Sequence, residues 1–142
     1  MPSYWILKTE PSTYGYADLE REGAAVWDGV SNNLALKHLR AMRRGDQALI
    51  YHSGAEKAVV GRARVTSPAY PDPKRADRKL VVVDIRATGR LGQPVPLAAI
   101  KGDPAFRDLA LVRMPRLSVL PATSAQWERL LKLGRGSAGA TR

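Results

Sequence analysis

The sequence predicts a mixed α+β fold, a curled sheet or small barrel of five to six short strands flanked by short helices. Three observations lead there. The 142 residues make about one ordinary domain, enough for one core and too few for two. Short runs of β-formers alternate with helical patterns along the whole chain. Several of the connections are too short for parallel crossovers, which excludes a purely parallel α/β sheet.

The elements follow in order. "YWILKT", Tyr4 to Thr9, is a first, central strand stopped by Pro11. Tyr14 to Glu22 carries a short helical pattern ending at Gly23, and "AAVW" leads into "VWDGVSNNLALKHLRAM". There Asn32 or Asn33 serves as N-cap, since a side-chain oxygen satisfies free N–H groups of the first turn. Leu34, Ala35, His38, Leu39 and Met42 then fall on one apolar helical face, with Lys37, Arg40, Arg43 and Arg44 opposite. Gly45 and Asp46 turn into a strand at Ala48–His52, and Lys57–Thr66 forms another, where Gly61 permits a bulge or the close approach of a backbone.

"SPAYPDPKRADR" is a basic, turn-rich loop longer than packing requires, hence a candidate functional loop. Lys79–Thr88 is a buried strand, "GRLGQPVP" a turn, Leu97–Lys101 a helical turn and Pro104–Ala110 a short helix with proline in its first turn. Arg116–Leu120 is the last strand. Thr123 or Ser124 caps a final helix whose Trp127, Leu130 and Leu131 form a core stripe. One domain is expected over residues 1–133, with 134–142 a disordered tail that has too little apolar surface to order itself.

Charge and composition narrow the function. The chain carries 23 Lys and Arg against 13 Asp and Glu, net +10. Residues 1–72 hold nine basic and eight acidic side chains, and residues 73–142 hold fourteen and five. Such a field favours a polyanion, nucleic acid before an anionic membrane surface. No apolar run is long enough to span a bilayer, and with no cysteine and two histidines neither disulfides nor a metal site is expected. An intracellular, cytoplasmic protein with no cofactor follows, and a monomer is the expected state.

Catalytic patterns are weak. His52 and Ser53 are adjacent on a strand and so point to opposite faces, which disqualifies them as a base and nucleophile pair. No nucleophile elbow or phosphate-binding glycine loop occurs, so no catalytic residue is assigned. What remains is a group of aromatic and polar residues at strand ends: Trp5, Lys8, Glu10, Trp27, Asp28, Asn32, Tyr51, His52 and Ser53. A pocket that takes a flat heterocycle out of water needs this mixture, an aromatic face for the ring and fixed partners for its edge. Taken alone, Trp5 and Trp27 each read first as plain core with the polar residues capping turns, and the pocket is the second reading.

Four blocks in order, "YWILKTEPSTYGYADL", "VWDGVSNNLALKHLRAMRRGD", "IYHSGAEKAVVGRARVTSPAYPD" and "PRLSVLPATSAQW", resemble the EVE domain family of the PUA-like superfamily over about residues 3 to 132. The resemblance implies a PUA-like mixed barrel flanked by helices. It also implies recognition of a modified base, such as 5-methylcytosine, taken into a pocket, with DNA ahead of RNA as partner. The pocket would comprise Trp27 with the backbone of Asp28, Gly29 and Val30 after it, together with Asn32, His52 and Ser53. Trp5, Lys8 and Glu10 would stand beside it, and Arg116, Leu117 and Ser118 match the family's late arginine-leucine-serine segment. The family commonly has an aromatic residue where this chain has Asn33. Lys37, Arg40, Arg43, Lys74, Arg75 and Arg78 are the candidate phosphate contacts. Two rival functions share these residues, an RNA-modification reader and a nuclease or amidohydrolase of the related ASCH kind built on Lys8, Glu10 and Ser53.

Overall fold

The first strand, β1 (Tyr4–Thr9), is the expected central one: it runs parallel to β3 (Gln47–His52) on one side and antiparallel to β7 (Val119–Ala122) on the other. The computed structural model describes residues 3–135. Between β1 and β3 lie α1 (Tyr16–Glu22), β2 (Ala24–Trp27) and α2 (Asn33–Ala41). After β3 come β4 (Ala58–Val65), the two-residue β5 (Tyr70–Pro71) and the long β6 (Val81–Pro96). The chain then forms α3 (Leu97–Lys101), a 3-10 turn at Pro104–Phe106, α4 (Ala110–Arg113), β7 and α5 (Ser124–Leu133).

The fold is mixed α+β, as expected, but its seven strands are not closed into a barrel. They pair in the order β2-β6-β4-β3-β1-β7, with β5 added to β6, so β2 and β7 end the path. The surplus over five or six strands has two sources. "AAVW" is itself a strand, paired with β6 from Ala24↔Arg86 to Trp27↔Val83, and a two-residue strand lies in the basic loop. "GRLGQPVP" is no turn but the second half of β6, paired with β4 from Gly61↔Arg90 to Ala58↔Pro96. Register shifts and Gly89 at φ 146° absorb the irregularity. The prolines are tolerated there because, among the described residues, no strand pairs with the far edge of β6 beyond Arg86.

Two layers of helix cover the sheet. Adjacent residues of a strand face opposite sides, and Trp5 lies against His38 of α2 (ring centroids 5.7 Å) while Tyr4 stacks on Trp127 of α5 (4.8 Å). So α2 lies on one face and α5 on the other. Asn32 caps α2 as expected, its Oδ1 accepting from the N–H groups of Leu34 and Ala35 at 2.9 and 3.0 Å. Thr123 caps α5 in a capping box with Gln126. Gly61 does mark a close approach, but of a side chain: a Cβ there would stand 2.4 Å from the Tyr16 ring, whose hydroxyl donates to the Arg62 carbonyl at 2.6 Å and accepts from the Gly89 N–H.

The expected tail falls, from residue 136 on, outside the described residues. Its first residues belong to the fold, because the Gly134 carbonyl accepts from the Gln93 N–H at 2.9 Å and Gly134 packs on Leu91. Among the described residues no helix is long and apolar enough to cross a membrane.

Candidate functional site

The parallel pairing of β1 with β3 carries Lys8, Thr9 and Glu10 to the same end of the sheet as Tyr51, His52 and Ser53. The pleat then divides them: Lys8 and Tyr51 point to one face, Thr9 and His52 to the other. The predicted group is therefore not one pocket wall but two groups, each beside its own cleft.

The first cleft, about 640 Å³, opens along the free edge of β2. Trp27 and Asp28 form one wall and Thr9, Thr13 and Tyr14 another, with Lys74 at the rim. The Thr9 hydroxyl donates to the Tyr14 carbonyl at 2.6 Å and fixes that turn. The Tyr14 ring stands edge-on to Trp27, centroids 6.3 Å apart at 79°, a favourable aromatic geometry. The Tyr14 hydroxyl donates to Glu22 at 2.6 Å. Its pKa is raised, first by burial and then by the Glu22 carboxylate, so the phenol stays a neutral donor.

Trp27 is buried, yet its indole N–H makes no hydrogen bond among the described residues. Nor is it one of the sealed polar atoms that lack a partner, so it keeps some contact with solvent, and Trp27 lines the cleft. The Asp28 carboxylate is likewise exposed, with no hydrogen-bond partner among the described residues. Gly29 takes φ 78° to turn the chain, and Val30 returns it to the core.

That turn leads to the second cleft, about 460 Å³, bounded by Asn32 and Leu34 on one side and Arg113, Met114, Arg116 and Leu117 on the other. Beside it the Lys8 ammonium donates to the Pro115 carbonyl at 2.5 Å and lies 5.7 Å from the Tyr51 ring centroid. Burial lowers the Lys8 pKa and raises that of Tyr51. The Lys8 N–H also donates to the Ser118 carbonyl, which ties the arginine-leucine-serine segment to β1. Asn33, where an aromatic was expected, is an exposed residue of the first helical turn and lines neither cleft.

Three predicted pocket residues are committed elsewhere. Trp5 is core: its indole N–H donates to the buried Asp46 carboxylate at 3.0 Å. His52 Nε2 accepts from the Tyr16 N–H at 2.9 Å and so holds the start of α1, while Nδ1 lies 2.7 Å from Glu56 in the loop after β3, so both ring nitrogens are occupied. Glu10 accepts from the N–H and hydroxyl of Ser12, which lowers its pKa. Ser53 lies by its own N–H on the Thr9 carbonyl. Lys8, Glu10 and Ser53 therefore form no hydrogen-bonded relay of base and nucleophile among the described residues.

Of the candidate phosphate contacts Lys74 alone lines either of these two clefts; Arg75 and Arg78 follow it in a loop held by the Asp72 side chain, and Lys37, Arg40 and Arg43 stand exposed on or just beyond α2. Sequence reasoning missed Thr9, Thr13, Tyr14, Arg113 and Met114. Tyr14 was absorbed into a helical pattern, although Gly15 after it is the real cap of α1. Met114 had only a weak signal, a large apolar residue set between Arg113 and the Pro115–Arg116 pair.

The family model for the EVE domain matches residues 3–133. Thymocyte nuclear protein 1 of Danio rerio is 31% identical, over 93% of this chain and 73% of that protein. A Rhodopseudomonas palustris protein solved by NMR superposes with a TM-score of 0.88 at 44% identity, covering 93% of this chain and 92% of that one. Human THYN1, crystallised in complex with DNA containing 5-methylcytosine, gives 0.86 at 26% identity, over 95% of this chain and 99% of that one. This chain belongs to the EVE domain family.

Proposed function

We propose that the domain binds nucleic acid and takes one flipped, modified base of the 5-methylcytosine kind into the cleft beside Trp27. The observation that carries this is a cleft lined by both Trp27 and Asp28, whose indole N–H and carboxylate have no hydrogen-bond partner among the described residues. A cytosine edge presents ring acceptors beside an amino donor. An N–H donor adjacent to a carboxylate acceptor is complementary to it. Support also comes from the human relative in complex with 5-methylcytosine-containing DNA.

Binding needs no catalytic group. Exposed cations, Lys74 at the rim among them, hold phosphates without reading sequence. Flipping a base costs a few kcal/mol, offset by stacking on the Tyr14 ring at about 1–3 kcal/mol and by the edge hydrogen bonds. A methyl group adds only about 0.8 kcal/mol of burial. Selectivity for the modified base is therefore modest, roughly fourfold, unless the unmodified base also leaves a void.

The test is fluorescence anisotropy with single- and double-stranded DNA and RNA, with and without 5-methylcytosine, checking that the probes stay intact. Tyr14→Leu and Asp28→Asn should each remove the preference for the modified base and leave salt-dependent binding in place. Equal affinity of the parent protein for modified and unmodified probes would sink the proposal, and probe cleavage would move the function to the enzyme class.

A further inference from the structure

The strand register builds a row of side chains that nothing in the base-binding proposal uses. Tyr4 pairs with Gln47, Gln47 with Arg64, Arg64 with Arg86, and Arg86 with Ala24, and residues directly opposite in a sheet point to the same side. Gln47, Arg64 and Arg86 thus form a continuous shelf on the face where Tyr4 meets Trp127, the face opposite α2. Arg64 and Arg86 are exposed and enter no ion pair among the described residues. Two like charges directly opposite each other cost stability. The acid on the same face that is nearest in the strand, Asp84, is occupied by the Tyr70 hydroxyl at 2.5 Å. Arg62, on the same face, lends one nitrogen to Gln47 Oε1 at 3.3 Å, while its Nε is buried without an acceptor.

Guanidinium groups gathered in this way and left without carboxylates are short of anions. The shelf also leads somewhere: Ala24, at its end, lines the Trp27 cleft. Strands lie about 4.8 Å apart, so Arg86 sits one strand in from the cleft wall and Arg64 one further.

We infer that Arg64 and Arg86 are the phosphate track of this domain, holding the sugar–phosphate backbone of a nucleic-acid strand that leads away from the base in the Trp27 cleft. The site of the flipped base rests on the preceding proposal; the track itself does not. Arginine suits the task because its fork grips a phosphate with two parallel hydrogen bonds. The inference places the principal phosphate contacts on the sheet face rather than on α2, whose Lys37 and Arg40 lie in the opposite layer.

The experiment measures affinity for a single-stranded oligonucleotide across a salt series in the full chain, its R64Q/R86Q variant and a K37Q/R40Q control. Loss of two phosphate contacts should flatten the plot of log affinity against log salt by about 1.4 (about 0.7 per phosphate on single strands). K37Q/R40Q, which removes the rival candidates on α2, should flatten it by less. Affinity should fall equally for 5-methylcytosine and unmodified probes, so a loss of base preference alone speaks to the pocket and not to the track. In the absence of nucleic acid, R64Q/R86Q should melt no lower than the parent, because it removes a repulsion. An unchanged slope in R64Q/R86Q, a parent protein that binds no oligonucleotide, or a slope that flattens only in K37Q/R40Q would each overturn the inference. If the parent shows no base preference and the slope still flattens, the pocket proposal fails and the track stands.

Discussion

Trp5 and Trp27 are buried to nearly the same degree, 6% and 7% exposed, and they do opposite things. Trp5 has its indole N–H on the Asp46 carboxylate and its ring against His38. Trp27 has its ring edge-on to Tyr14 and no partner for its N–H among the described residues. Burial therefore does not separate a structural tryptophan from one at a site; the fate of the one polar atom does. A buried donor that folding needs finds its acceptor within the chain. A donor kept open at a cleft is available to a ligand.

The largest effect should come from breaking the Trp5 corner at its acceptor. Asp46 accepts from the Trp5 indole and from the backbone N–H groups of Ser3 and Arg43, all at 3.0 Å. Asp46→Ala leaves three donors without it: the buried Trp5 indole N–H costs about 1–3 kcal/mol, and the part-buried N–H groups of Ser3 and Arg43 add less because they reach water. Thermal or urea unfolding should show a loss of several kcal/mol, while the fraction that stays folded keeps its base preference. A stable Asp46→Ala protein would show that the corner is not what fixes β1 to the turn before β3.

A smaller and more pointed contrast is the matched pair Trp5→Phe and Trp27→Phe. Both lose similar volume and keep an aromatic ring. Only Trp5→Phe removes a hydrogen bond from the buried Asp46 carboxylate, whose Oδ2 is left with the Arg43 N–H alone, so it should be the more destabilising by about 1–2 kcal/mol. Only Trp27→Phe should erase the base preference. Equal melting temperatures for the two variants would mean that the Asp46 bond contributes little and that the distinction drawn between the tryptophans is unfounded.

The same contrast explains what could be read beforehand. Local chemistry was legible: Asn32 as the α2 cap, Thr123 as the α5 cap, the Trp127 stripe and the Tyr4–Thr9 strand all follow from short-range rules and were found in place. Pairing was not. "GRLGQPVP" has the composition of a turn, and it is a strand because β4 offers it a ladder, a partner some thirty residues upstream that no local pattern reveals. The site shows the same limit. The strand-end residues were recognised as a group, but parity along β1 and β3 splits Lys8 and Tyr51 from Thr9 and His52, and that parity matters only once the register is known. His52 looked available because its Nε2 partner, the Tyr16 N–H, lies on another element, α1, although its Nδ1 partner Glu56 stands in the loop directly after β3.

The smallest expected effect reads the Trp5 corner through its pH dependence. The His38 ring packs on Trp5, and burial, with Lys37 adding repulsion, holds its pKa below the ordinary 6.5. Between that lowered value and 6.5 the unfolded chain binds the proton more readily than the folded one, so unfolding takes up protons. His38 therefore leaves stability intact above pH 6.5 and subtracts from it as pH falls through this window. Melting temperature followed from pH 7.5 to 5 should decline, and the decline should be shallower in His38→Gln. Base preference, governed by the Trp27 cleft, should not respond to the His38 substitution at any pH in that range. An identical decline in the variant would remove His38 from the account of the corner, and a base preference that moved with His38→Gln would join the two tryptophans into one site.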